Sequence, residues 1–251
     1  MCPKTCFQKG QLGPLLIIRP TMEYSMSHKR RVGSCIAAIF GALSLLAIQL
    51  AVADTRTITP TGEFAQIDTR LTNETIQILA KGTADEKQSA IAKIKANPES
   101  YAPPVFYALS NVLFADGEKD DGAFWFYAGQ LRARVDANIC ADSSARQAVG
   151  VLNSNYGTPI NQYTFQNIPK LEMLIPKVVD WERKTPYNYD RRWINLHGMS
   201  AMMSGLGAQS KNTSQATLSY PKDRWNDIAE KTRTDYLSGF KKAMAQMKSN
   251  K

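Results

Sequence analysis

From Leu71 to the C-terminus, apolar side chains recur at intervals of three and four, and no stretch of β-branched residues alternates with period two. That spacing restricts the chain to helices that bury one face each. Thr72-Asn73-Glu74-Thr75 opens a short helix carrying Ile76, Leu79 and Ala80, closed by Gly82. Thr83-Ala84-Asp85-Glu86 is a capping box, in which the Thr hydroxyl accepts from the amide of Glu86 and Glu86 reaches back. Behind it, Ala90, Ile91 and Ile94 keep helical spacing as far as Asn97-Pro98. Pro103-Pro104 starts the next helix, where a missing amide hydrogen costs nothing. Its stripe is Val105, Phe106, Leu109, Val112 and Leu113, and Asp116-Gly117 stops it. A longer helix follows over about 119–138, with Phe124, Trp125, Tyr127, Ala128, Leu131 and Val135. Two helices joined by so short a turn must lie antiparallel.

Asp142 is expected to cap a helix bearing Ala145, Ala148, Val149 and Leu152 that ends at Asn155-Tyr156-Gly157, with 156–167 irregular. Pro169 opens another with Leu171, Leu174, Ile175, Val178 and Val179, which Pro176 is expected to kink or split. Residues 185–198 read as a loop dense in aromatics and arginine, and residues 204–219, rich in Gly, Ser, Thr and Asn, as a flexible loop. After Pro221, the face Trp225, Ile228, Ala229, Thr232, Tyr236, Leu237, Phe240 and Met244 marks the last helix. The fold expected is all-α: an irregular bundle, or a short helical-repeat-like array, of about six to eight helices.

Ahead of this domain stands a pattern for export. Ser27-His28-Lys29-Arg30-Arg31 is basic, Cys35 to Ile48 is apolar, and Ala51-Val52-Ala53 has the small-x-small form that signal peptidase accepts. Residues 26–53 therefore read as a signal peptide cleaved near Ala53. The competing reading is an uncleaved inner-membrane anchor over 35–53, near the lower limit for a span of about 20 residues. Residues 1–25 carry no targeting pattern and read as a start-site artefact, with Met22 and Met26 both available as starts. Residues 54–70 read as a flexible arm, and 71–251 as a single helical domain. The compartment expected is the periplasm or the medium.

Removing the leader changes what composition implies. Of 31 Lys/Arg and 22 Asp/Glu, six bases and one acid fall in residues 1–53, leaving 25 and 21. A net charge of +4 points neither to nucleic acid nor to an anionic surface. Only Cys140 remains, so no disulfide forms within the mature chain, and a lone cysteine reads as a small buried hydrophobe. Only His197 remains. Zinc sites draw three or four ligands from His, Cys and carboxylates; one His and one Cys far apart supply none, so no metal and no cofactor are expected. No Gly-x-Ser-x-Gly elbow, phosphate-binding Gly-x-x-x-x-Gly-Lys loop or dinucleotide fingerprint is present. Asp116, Glu118, Asp120 and Asp121 cluster at the hairpin turn without completing a calcium-loop pattern, and read as acids at a helix N-terminus. Arg132 and Arg134 read either as a solvated helix edge or as forks holding another loop or an acidic ligand.

Tyr187, Tyr189, Arg191, Arg192, Trp193 and His197 form the candidate partner-binding patch, because Tyr, Trp and Arg dominate binding hot spots. The same residues could instead pin a long connection onto the helices.

The hairpin at 103–138 resembles a tetratricopeptide-type repeat. With Gly117 as its turn glycine, Leu109 and Phe126 fall on apolar positions of that family, while Gly122 and Gly129 stand where it has alanine. No second copy follows at a 34-residue period. The resemblance implies a helical scaffold that binds a partner. More loosely, the chain is similar to small exported helical proteins of Gram-negative bacteria, some of which are immunity proteins against toxins delivered by type VI secretion. The function expected is thus a non-enzymatic, exported protein-binding protein, such as an immunity or adaptor factor. Two alternatives stand beside it: an envelope enzyme using carboxylates or His197, and a structural envelope protein. The partner expected is another protein, not nucleic acid, with membrane contact only through the leader if it is uncleaved.

Overall fold

The computed structural model describes residues 59–207 and 217–249. Residues 1–58, which include the stretch read as a signal peptide, and most of the Gly/Ser/Thr-rich stretch after 204 lie outside the described residues. Among the described residues there are eight α-helices and no strand: α1 (Arg70–Lys81), α2 (Ala84–Ala96), α3 (Pro103–Ala115), α4 (Lys119–Ile139), α5 (Gln147–Phe165), α6 (Ile168–Lys184), α7 (Met199–Gly205) and α8 (Trp225–Ser249). Short 3-10 turns link several of them, including Ser143–Arg146 and Arg191–His197. The irregular all-α bundle expected from the periodicity is what forms. No helix among the described residues is long and apolar enough to cross a membrane.

The bundle is organised around α4, which packs against α3, α5, α6 and α8. A surface helix buries one stripe; a helix surrounded by others buries all of itself. Gly122, Ala123, Trp125 to Ala133, Val135 to Ala137 and Ile139 of α4 are all buried. Its charged residues Arg132 and Asp136 are therefore inside the protein.

The α3–α4 hairpin forms as expected. Gly117 takes φ +93°, a left-handed conformation that side chains resist. Gly122 lies against Ser110 and Phe114, and Gly129 against Pro103 and Phe106, so residue numbers run in opposite senses along the contact. At both glycines that depart from the tetratricopeptide pattern, an added methyl would stand within 3.0 Å of an α3 atom. No repeat type is identified in the helices. The capping box is present in full: Glu86 N donates to Thr83 Oγ1 at 3.3 Å and Thr83 N to Glu86 Oε2 at 2.7 Å.

One local expectation is corrected and another is narrowed. Helix α5 does not end at Asn155-Tyr156-Gly157; it runs to Phe165, straight through Pro159. Packing outweighs the lost backbone hydrogen bond here. Gly157 sits against the Phe126 ring, Ile160 is 1% exposed, and the Thr164 hydroxyl donates to the carbonyl of Ile160. Of the two outcomes expected at Pro176, a split does not occur, since α6 is continuous from Ile168 to Lys184. Ile175, Val178 and Val179 face the core while Met173, Pro176 and Lys177 face solvent, so water can satisfy the carbonyl that Pro176 leaves free. Asp142 does cap, but it caps the short turn Ser143–Arg146, which leads straight into α5. Within the stretch expected to form a loose arm, Phe64 and Ile67 are buried with Ala201 and Leu218.

Candidate functional site

Arg132 and Asp136 stand one turn apart on α4, so both reach the same neighbour, the connection 185–198. The Asp136 side chain is completely buried. Its Oδ2 accepts from Tyr189 Oη at 2.8 Å and Trp193 Nε1 at 2.9 Å, and its Oδ1 from Arg191 Nε at 2.7 Å. Arg132, also fully buried, donates through Nη2 to the carbonyls of Thr185, at 3.1 Å, and Pro186. The guanidinium carbons of Arg132 and Arg191 lie 4.0 Å and 3.8 Å from the centre of the Tyr187 ring. Tyr187 donates to Glu182, whose buried carboxylate also holds Arg233. Burial first, and then the charge of Asp136, hold the Tyr189 phenol well above its ordinary pKa, so it remains a donor.

The structure thus brings Tyr187, Tyr189, Arg191 and Trp193 together, with their polar ends directed inward onto α4 and α6. Of the two readings of Arg132, the fork holding another loop is the one formed. Arg134 is part-buried beside Tyr236. Arg192 turns elsewhere: it pairs with Asp190 at 2.7 Å and lines a recess of about 490 Å³ with Glu63, Gln66, Tyr220 and Trp225. His197 lies edge-on to Trp193, with its Nδ1 sealed from solvent and without a hydrogen-bond partner among the described residues. Sequence reading missed Asp136. The available signal was an acid one turn from an arginine inside an otherwise apolar and aromatic helix.

Burial pushes the His197 pKa down to about 4 from an ordinary 6.5. Between those values the unfolded chain binds the proton that the folded chain refuses, so stability rises with pH across that window. The contribution is intact above about pH 6.5 and is lost as pH falls towards 4, by at most about 3 kcal/mol. Urea unfolding at pH 7 and pH 4.5 should therefore show a smaller loss for His197→Gln than for the parent. Equal losses would mean the imidazole is not held neutral. Cys140, 1% exposed and with Sγ 3.1 Å from Asn195 Oδ1, has its thiol pushed up to about 11 by burial.

The other constructed feature is a groove of about 650 Å³ between the start of α4, the end of α5 and the first half of α6. Ala123, Phe124, Leu171 and Leu174 supply apolar surface, and Met173, 72% exposed, stands at its edge. Both hairpin-turn acids on its rim are engaged. Asp120 accepts from Tyr163 Oη at 2.5 Å and pairs with Lys170, while Asp121 pairs with Lys95 at 2.5 Å. Lys170 and then Tyr163 hold the Asp120 carboxyl below the usual range. Lys177 lies 5.5 Å from the Phe124 ring centre, and Lys119 5.7 Å from those of Phe114 and Tyr163. Neither lysine has an acidic partner among the described residues; Lys177 lines the groove, and Lys119 stands outside its lining beside Tyr163. No three His, Cys, Asp or Glu side chains among the described residues are grouped to hold a metal ion.

No family model, curated protein or solved structure matches this chain.

Proposed function

We propose that the chain is an exported, non-enzymatic helical protein that binds another protein through the α4–α5–α6 groove. The observation that carries the reading is the groove itself: apolar along its floor, open, of a size within the range of binding clefts, and lined by Lys177, which has no acidic partner among the described residues. Its occupant is a short segment of a partner protein that presents an apolar face flanked by Asp or Glu. The apolar face would cover Phe124, Leu171 and Met173, and an acid would meet Lys177. An immunity or adaptor role is the finer form of this proposal, since both require a rigid scaffold and a complementary patch rather than a reacting group. Loop 185–198 then serves as support, because Tyr189, Arg191 and Trp193 direct their polar atoms to Asp136.

The compartment is proposed from the basic, apolar and Ala-x-Ala succession of residues 27–53. N-terminal sequencing of the protein recovered from its producing cells tests this, with Asp54 expected as first residue. The binding reading is tested by placing a photo-cross-linking amino acid at Met173, at Lys177 and, as control, at exposed Gln88 on α2. One discrete adduct from the first two positions and none from the third is expected, and the captured peptide should be acidic. Lys177→Glu should reduce the Met173 adduct's apparent affinity about tenfold, equivalent to 1.4 kcal/mol. Adducts absent everywhere, or equal at Gln88, would defeat the proposal.

A further inference from the structure

Helix α7 reverses the usual pattern of an amphipathic helix. Met199, Met202, Met203 and Leu206 occupy positions i, i+3, i+4 and i+7, the spacing that normally marks a buried stripe. Here that stripe faces solvent, at 52%, 38%, 42% and 51% exposure, while Ala201 on the other side is 1% exposed. The orientation is held at both ends. At the start, Ser200 N donates to Asp142 Oδ2 at 2.9 Å and Met199 N to Ser144 Oγ at 2.8 Å. Further along, Thr61 Oγ1 donates to the carbonyl of Ser204 at 3.0 Å. The outward face is therefore built on an anchored segment.

Apolar bulk alone does not account for the choice of side chain, because leucine supplies bulk equally well. Three of the four positions are methionine, and what methionine adds is a thioether sulfur. Side chains at i, i+3 and i+4 leave the helix about 5–6 Å apart at Cβ. Three rotatable bonds in each let the sulfurs converge on one point above the helix. Thioethers are soft ligands: they favour Cu(I) and offer little to calcium, magnesium or zinc, which require oxygen or harder nitrogen and thiolate donors. We propose that Met199, Met202 and Met203 form a three-thioether site for a soft monovalent cation, with Cu(I) as its ligand class. The site is separate from the α4–α5–α6 groove and does not depend on it. Binding needs no electron transfer and no proton release, since a thioether carries no proton to lose.

The test uses the full chain with Cys2, Cys6 and Cys35 replaced by serine, leaving buried Cys140 in place. Cu(I) is titrated anaerobically with ascorbate against the chromophoric competitor bicinchoninate. The reference chain is expected to take up one ion and to ignore Zn(II). Loss of outer-shell partners alone weakens metal sites roughly 10–100-fold, so removing all three donors in Met199→Leu/Met202→Leu/Met203→Leu should weaken uptake at least that much. The leucines preserve bulk at exposed positions, and an unchanged thermal midpoint would show that the fold is intact. Equal uptake by the two chains, or none by the reference, overturns the site and identifies the stripe as an apolar contact surface only.

Discussion

Asp136→Ala is expected to lower the stability of the fold by about 3–5 kcal/mol, the cost of breaking a buried charge pair by removing one partner. The carboxylate is completely buried and accepts three hydrogen bonds, from Tyr189, Arg191 and Trp193. Alanine leaves a guanidinium with 13% exposure facing a gap, and strands an indole N–H and a phenol beside it. For a domain of this size each kcal/mol moves the thermal midpoint by about 2–4 °C, so the midpoint should fall by roughly 6–20 °C. Pairing Asp136→Leu with Arg191→Met should recover part of that loss, because it removes the stranded charge while the Tyr189 phenol and the Trp193 indole stay without their acceptor. A loss below about 1 kcal/mol in thermal or urea unfolding would show that the carboxylate is not the anchor of the loop.

The second large effect comes from the smallest change. Gly122→Ala adds one methyl whose carbon would stand 2.9 Å from the Ser110 carbonyl oxygen and 3.0 Å from the Phe114 amide nitrogen. Both neighbours are backbone, so no rotamer change relieves the clash and α3 must move away from α4. Overpacking of this kind costs about 1–3 kcal/mol, more than the roughly 1 kcal/mol that alanine gains over glycine in a helix. Gly150 on α5 is the control, since a methyl there meets nothing within 4 Å. Gly150→Ala should therefore stabilise by up to about 1 kcal/mol. Chemical denaturation of the two variants should give shifts of opposite sign; shifts of the same sign would mean that helix propensity, not contact between α3 and α4, governs both positions.

These variants separate support from contact. The end of α4 holds loop 185–198 through Arg132 and Asp136, while its beginning contributes Asp120, Ala123 and Phe124 to the groove. Asp136→Ala should act on stability wherever the partner binds. Lys177→Glu, at an exposed rim position, should leave the thermal midpoint close to that of the parent while weakening capture.

Much of the secondary structure was legible in the sequence because its determinants are local. The Thr83–Glu86 box, the left-handed Gly117, the prolines at 103 and 104, and the three-and-four spacing of apolar residues each depend on neighbours a few positions away. That residues 54–251 hold one histidine and one cysteine was equally plain from composition. What only the tertiary structure decided involves partners far apart in the chain. Phe126 and the core around Ile160 carry α5 through Pro159, against its local preference. Asp136 meets residues 53 to 57 positions away, so Tyr189, Arg191 and Trp193 direct their polar atoms to a buried carboxylate that no local pattern announces. The groove is lined by residues of three helices, and α7 presents its methionines outward with Ala201 packed inward and Asp142, Ser144 and Thr61 bonded to its backbone. Periodicity specifies that a helix has a face. Which face is covered, and by what, is settled by the packing of segments that the chain brings together from a distance.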